Sequence, residues 1–193
     1  PHVMSEAFGV AGQWKINLRT LKWLGDWQVA LGINYFCQHA FYYSLQGFRK
    51  TECPPGEFYQ SPFWPYYQIF ADHLSRLSYI FTGGRHIAEA LVLYPNKSMW
   101  SYMNPGPTEE TKNIERSLNE ISALLLKHHY DYDYISEELL QRASFKGGRI
   151  RIEDEGGELI ESYELLVMPN CTTISQKTLD LIGIFSASGG KIL

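Results

Sequence analysis

No run of five or more basic residues occurs in the 193-residue sequence, and its net charge is −4. Without a positive stripe to meet phosphates, nothing in it points to nucleic acid or to an anionic membrane surface as a partner. Cysteine is sparse: Cys37, Cys53 and Cys171 stand far apart with no Cys-x-x-Cys pair, which implies neither a zinc knuckle nor a disulfide framework. No apolar run approaches the roughly 18 residues of a membrane-spanning helix, and no signal-peptide pattern opens the chain. Internal repeats and low-complexity tracts are missing too. There is no initiator Met, the chain opens almost at once on an apolar run, and it stops at Lys191-Ile192-Leu193 just after Gly189-Gly190. Both ends therefore read as cut, the remainder of the same polypeptide is expected to be a partner, and the compartment stays open.

Aromatic residues are what the sequence has in excess: 5 Trp, 13 Tyr and 10 Phe, most of them before position 103. Such a surplus either stacks on flat or ring-shaped ligands, sugars among them, or fills a core, and a filled core is the commoner use. The hydrophobic share of 45% and the charged share of 20% are those of an ordinary globular protein, long enough for one large domain or two small ones.

The first block follows the grammar of a parallel sheet. Val3-Met4-Ser5-Glu6-Ala7-Phe8-Gly9 is a short apolar run that reaches a carboxylate and then a glycine, so Glu6 is expected at the end of a buried strand. Parallel α/β barrels hold catalytic groups at such strand ends. Asn17 is a good N-cap, and Leu18, Leu21, Leu24, Trp27 and Leu31 recur at helical spacing until Gly32. Ile33 to Cys37 is a second strand, leading into Gln38-His39-Ala40-Phe41-Tyr42-Tyr43. Ser44 to Ser61 reads as a long functional loop. Ser61-Pro62 is expected to open a helix with Tyr67, Phe70, Leu74, Leu77 and Phe81 on its apolar face, with Asp72, His73 and Arg76 on a solvated face and Gly83-Gly84 at its end.

At His86 the pattern restarts. Ile87 to Tyr94 reads as a strand, Asn96 to Pro107 as a loop, and Thr108 to His128 as a helix with acids in its first turn. Tyr132 to Ile135 is a short strand, and Ser136 caps a brief helix. Arg149 to Ile152 pairs with Leu159 to Tyr163 across a Glu-Gly-Gly-Glu turn. Leu165 to Pro169 is a buried strand. Thr173-Ile174-Ser175-Gln176 reads as a capping box before a last helix that stops at Gly189-Gly190. No glycine-rich phosphate loop follows the first strand of this block, so it reads as structural or assembly-forming, compatible with a homo-oligomer.

Several motifs in a fixed order then carry a resemblance: Ser5-Glu6-Ala7-Phe8-Gly9, Gly32-Ile33-Asn34, His39-Ala40-Phe41-Tyr42-Tyr43, Pro54-Pro55, Trp64-Pro65-Tyr66-Tyr67, Ser75-Arg76-Leu77-Ser78-Tyr79 and Leu91-Val92-Leu93-Tyr94-Pro95. Together they resemble large bacterial glycoside hydrolases similar to the family 106 α-L-rhamnosidases, related in architecture to the clan A β-galactosidases. The likeness covers most of residues 3 to 100. It implies an α/β fold, with residues 1–84 as the C-terminal part of a (β/α)8 barrel and residues 85–193 as a flavodoxin-like doubly wound domain. Val3 to Glu6 would be barrel strand seven and Ile33 to Cys37 strand eight. Glu6 would be the nucleophile or general base, its partner acid would lie on strand four outside these residues, and the substrate would be a terminal sugar on a glycoside.

Without the resemblance, a strand-end Glu is more often solvated or ion-paired. His39 would reach the same mouth to bond a sugar hydroxyl, or else bond backbone as a structural histidine. Trp14, Tyr42 and Tyr43 would wall a sugar subsite, or pack a loop. Arg49, with Lys50, suits a carboxylated or heavily hydroxylated ligand; adjacent basic residues in a loop are more often solvated. Glu52 and Glu57 are further loop carboxylates. Calcium, the one cofactor they suggest, needs several oxygens, and no Asp-x-Asp loop is present. His128 and His129, near Asp131 and Asp133, point different ways on a helix end and form no metal site. The alternatives are a β-galactosidase-like hydrolase, or a non-catalytic α/β module that binds carbohydrate or assembles.

Overall fold

The computed structural model describes residues 2–51, 56–84 and 86–193. The chain forms two compact units, Pro1–His86 and Ile87–Leu193.

In the first unit two parallel strands, β1 (Met4–Ala7) and β2 (Tyr35–Gln38), pair in the register Met4 with Tyr35, Glu6 with Cys37 and Ala7 with Gln38. The crossover between them is the helix α1 (Leu18–Ala30), started by Asn17, whose Oδ1 accepts the Thr20 backbone N–H at 3.1 Å. This is the cap that its position demands, satisfying one of the orphan donors of the first turn. A second helix, α2 (Tyr67–Thr82), lies beside α1. It begins later than Ser61-Pro62 suggested. A 3-10 turn at Trp64–Tyr66 precedes it, with Pro65 inside that turn and no side-chain cap, because the missing proline N–H costs nothing at a helix start.

The core of this unit gathers Ala7, Phe8, Ile16, Leu21, Tyr67, Phe70 and Leu74, with Phe36 and Trp64 packed against it. Strand alternation thus turns Ala7 and Phe36 toward the helices and leaves Met4, Glu6, Tyr35 and Cys37 exposed on the other face. Much of the aromatic surplus is core: Phe8 stands edge-on to Phe70, and Tyr67 edge-on to Phe41 and Phe70. Asn34, buried at 7% exposure, ties strand to helix, its Oδ1 accepting from Val3 N at 2.8 Å and its Nδ2 donating to Phe81 O at 3.2 Å. His73 is not merely solvated. It bonds Asp26 of α1 across 2.5 Å. Partial burial opposes ionisation of Asp26, but the bonds to His73 and Lys22 outweigh it and hold the carboxyl below its ordinary range.

The second unit is built on a parallel sheet of β3 (Ala90–Leu93), β4 (Tyr132–Ile135), β8 (Leu165–Val167) and β9 (Lys191–Ile192), in the spatial order β4-β3-β8-β9. All four residues of β3 are buried, as expected of a strand covered on both faces. Ala90 and Val92 pack with Leu125 of α4 (Glu109–Lys127), whereas Leu91 and Leu93 pack with Ile182 and Phe185 of α6 (Gln176–Ala187). A helix α3 (Asn96–Ser101) replaces the expected loop after β3. Thr108 caps α4 in a capping box with Thr111. The short α5 (Glu137–Leu140) is capped by Ser136, as expected. An antiparallel sheet of β5 (Ser144–Lys146), β6 (Arg149–Glu153) and β7 (Leu159–Tyr163) adds one strand to the predicted hairpin. The cap of α6 is Ser175, accepting from Thr178 N, rather than Thr173, because the Thr173 N–H and C=O are bonded to Ser98 Oγ.

Gly190 sets one limit on this unit. A Cβ there would fall 2.2 Å from ring carbon Cε2 of Phe185, which is fully buried. Gly190→Ala must displace the ring or the chain, so we expect a loss of about 1–3 kcal/mol or more, as for other overpacked cores. Faster hydrogen exchange of the β3 amides would report it; unchanged protection would mean that the turn relaxes freely.

Candidate functional site

Glu6 is the next-to-last residue of β1, on the face turned away from the helices. Its side chain is exposed and, among the described residues, meets no hydrogen-bond or ion-pair partner. A carboxyl group at a strand end is thereby left open to whatever enters from that face. The chain after it is strained: Phe8, Val10 and Gln13 all take left-handed backbone, with φ of 75°, 53° and 53°. Each such non-glycine residue costs on the order of 1 kcal/mol and persists only where its surroundings impose it. At Phe8 the imposing contact is its own buried ring, held between Phe36 and Phe70.

His39 follows β2. Its backbone N–H donates to Ala7 O at 2.8 Å, carrying the β1–β2 ladder one residue further. Its ring lies on Gly9, where any Cβ would be 3.1 Å from Nδ1, and stands edge-on to Tyr42 with centroids 6.0 Å apart. Nδ1 is buried with no partner among the described residues. The tautomer with its hydrogen on Nε2 avoids burying an unpaired N–H, so the ring is set up to donate from Nε2. Glycine at position 9 is what admits this ring beside the end of β1.

Of the other residues expected here, Trp14 is fixed in place by Nε1 donating to Lys50 O at 2.7 Å, a bond that joins the loop after β1 to the loop after β2. Its ring remains 42% exposed. Tyr42 packs on His39 as described. Tyr43 is 88% exposed, and only its carbonyl is engaged, by Tyr59 Oη at 2.9 Å. Arg49 is exposed, with Nη1 3.5 Å from Gln46 O. The structure therefore gathers Glu6, Gly9, His39 and Tyr42 around the two strand ends and brings neither Tyr43 nor Arg49 into contact with them.

Glu57 is the residue that sequence reasoning missed. It reads as one more loop carboxylate, yet it is fully buried. Its Oε2 lies 2.7 Å from Tyr67 Oη, which is also 2.9 Å from Gln38 Oε1, and its backbone N–H donates to Ala40 O at 2.9 Å. Burial pushes its carboxyl up to about 7, against a smaller opposing effect of the Tyr67 bond. Burial and the neighbouring carboxyl likewise push the Tyr67 phenol up. The available signal was the density of rings around it, Phe58, Tyr59, Trp64, Tyr66 and Tyr67. Glu57 does not face outward as a calcium ligand would. Glu52, the other calcium candidate, lies outside the described residues, as do Cys53 and Pro54-Pro55. Among the described residues no group of three or more His, Cys, Asp or Glu is arranged to hold a metal ion, and no helix is long and apolar enough to cross a membrane.

A folded pKa near 7 has a defined sign for stability. The unfolded Glu57 gives up its proton near pH 4.3, so between there and about 7 the folded state holds the proton that the unfolded state has lost. Stability of the first unit should fall as pH rises through that window, by on the order of 3 kcal/mol, and then level off. Glu57→Gln should flatten that dependence in denaturant unfolding, and an equally steep slope in the variant would assign it to another group.

No family model matches the sequence, and no curated protein does. Similar folds are found among solved structures. A rhamnosidase from Novosphingobium sp. PP1Y superposes over 99% of this chain and 17% of its own, with a TM-score of 0.66 and 15% identity. A GH42 beta-galactosidase from G. stearothermophilus matches 92% of this chain and 24% of its own, with a TM-score of 0.63 and 18% identity. At these identities the likeness is one of fold: a mixed α/β arrangement shared with glycoside hydrolases, of which this chain spans less than a quarter of the length.

Proposed function

We propose that these residues belong to a glycoside hydrolase that removes terminal sugars, α-L-rhamnosidase-like, in which Glu6 is the nucleophile or general base. The observation that carries the reading is an open carboxylate at the end of a parallel strand, on the face away from the helices, beside a ring-fixed histidine, in a fold shared with glycoside hydrolases. Glycosidic cleavage needs two carboxyl groups, one protonated to assist the leaving oxygen and one ionised. Glu6, exposed and without a partner among the described residues, is the ionised one. Glu57, though its carboxyl holds a proton more tightly, is fully buried and bonded to Tyr67, which in turn is bonded to Gln38, so it is not the acid that meets the sugar.

On this reading β1 and β2 are strands seven and eight of a (β/α)8 barrel, and the partner acid lies on another strand of the same polypeptide. His39 donates Nε2–H to a sugar hydroxyl. Trp14 supplies an exposed ring for stacking, Tyr42 backs His39, and Tyr43 and Arg49 line the outer rim. The second unit is a flavodoxin-like domain, supported by its strand order: counting the strands of the parallel sheet alone, the order is 2-1-3-4, as in doubly wound sheets of that type. Its role is structural or in assembly.

The test is hydrolysis of a panel of chromogenic glycosides by the whole polypeptide that contains these residues. Cleavage of an α-L-rhamnoside is expected, with a β-galactoside as the second candidate. No cleavage of any glycoside would leave a carbohydrate-binding or assembly module as the better reading.

A further inference from the structure

With the Gln38 amide oxygen toward Tyr67, the hydrogen bonds around Glu57 balance when its carboxyl carries a proton. Tyr67 has one hydroxyl hydrogen. Its Oη has two acceptor neighbours, Glu57 Oε2 at 2.7 Å and Gln38 Oε1 at 2.9 Å. With Glu57 as a carboxylate, both would compete for that single hydrogen, and the loser would face lone pairs. A proton on Glu57 Oε2 removes the conflict: the acid O–H donates to Tyr67 Oη, and Tyr67 donates onward to Gln38 Oε1. Among the described residues Glu57 Oε1 is buried with no donor, which a neutral carbonyl oxygen tolerates far better than half of a carboxylate does. Ionisation would draw the Tyr67 hydrogen to Glu57 and force the Gln38 amide to turn over.

These bonds enclose His39. Gln38 precedes it in the chain, and Ala40, whose carbonyl accepts the Glu57 backbone N–H, follows it. We infer that Glu57 is a positioning residue for His39: as a neutral acid it holds Gln38 through Tyr67 and Ala40 through its own N–H, and loss of its proton re-sorts the bonds on the Gln38 side. The inference rests on the glycosidase reading insofar as His39 is taken to meet the sugar. Glu57 itself stays on the side of the strands where α2 packs. Tyr67 of α2 is the titratable group that touches it, and among the described residues no lysine, arginine or second carboxylate contributes to its shift. In the bracketed stretch the titratable groups are His39 and, against its ring, Tyr42. Burial brings the change of protonation near neutral pH.

The experiment uses the whole polypeptide as wild type, Glu57→Gln and Tyr67→Phe, from about pH 5 to about pH 9. Selective isotope labels report the Glu57 carboxyl carbon, the Gln38 side-chain amide and the backbone amides of His39 and Ala40. Glutamine at position 57 mimics the neutral acid, its amide donating to Tyr67 Oη at every pH. The wild type should show the Glu57 carbon and the Gln38 amide changing together near neutral pH, with the His39 and Ala40 amides following. Glu57→Gln should keep the low-pH pattern throughout, and Tyr67→Phe should uncouple the Gln38 amide from the Glu57 carbon. On the cleaved glycoside, the ratio of wild-type kcat/KM to that of Glu57→Gln should fall about tenfold across the same step, the pH dependence of the catalytic carboxyls cancelling between the two, as expected when a substrate-contacting group is misplaced. A carboxyl that titrates in the ordinary range, or a Gln38 amide with the same pH dependence in wild type and Glu57→Gln, overturns the inference. If no glycoside is cleaved, the glycosidase reading fails while the label measurements still decide the role of Glu57.

Discussion

Glu6→Gln is expected to lower kcat on the cleaved glycoside by about a thousandfold or more while leaving KM nearly unchanged. The substitution keeps the size of the side chain and removes its charge and basicity, which are what a nucleophile or a base contributes as the bond to the sugar carbon changes hands. The fold should not answer for the loss. Glu6 is exposed and has no partner among the described residues, so the change should alter stability by no more than about 0.5 kcal/mol. Activity close to that of the parent would remove Glu6 from the chemistry and send the search to other strand ends. The anomeric configuration of the first product, read by NMR, then separates nucleophile from base: retention requires a covalent step on Glu6, inversion a water activated by it.

The second large effect is on the fold of the Ile87–Leu193 unit. Glu137, at 3% exposure, collects donors from two other elements on one oxygen: Ser175 N at 2.9 Å, Ser175 Oγ at 2.6 Å and Thr178 Oγ1 at 2.8 Å at the start of α6, and Lys97 Nζ of α3 at 3.3 Å. Glu137→Ala would leave these buried donors facing a void, and a loss of about 3 kcal/mol is expected, within the range for breaking a buried, hydrogen-bonded charge. Burial alone would raise the pKa of this carboxyl, but the Ser175 and Thr178 bonds and Lys97 outweigh it and hold it below its ordinary value. The sign for acid stability follows. The contribution is complete above the unfolded value near 4.3 and is lost as pH falls through the lower folded value. Hydrogen exchange of the Ala90–Leu93 amides should show this loss of protection in the wild type below about pH 4, and Glu137→Ala should already lack that protection at neutral pH. Equal protection in the two proteins would show that the network adds nothing to stability. The neighbouring Cys171 thiol is pushed up to about 11, chiefly by burial with help from Glu137, so it is protected from thiolate chemistry.

Sequence alone determined the features that depend on neighbours along the chain. The periodic leucines and the Asn17 cap of α1, the Thr108 start of α4, a hydrophobic strand within Ile87 to Tyr94, which the structure trims to Ala90–Leu93, and the arrival of Glu6 at a strand end follow from local spacing and capping, which act over a few residues. Only the tertiary structure decided the rest. Thr173 lost the cap of α6 to Ser175 because Ser98, 75 residues away, binds its backbone. Glu57 became a buried acid because the loop that carries it folds onto Gln38 and Tyr67, 19 positions before and 10 after it. The ring of His39 is fixed by a glycine 30 positions earlier in the chain. Burial and hydrogen-bond partners are properties of neighbours in space, and for a carboxylate they decide whether it is a solvated charge, an open nucleophile or a neutral clasp.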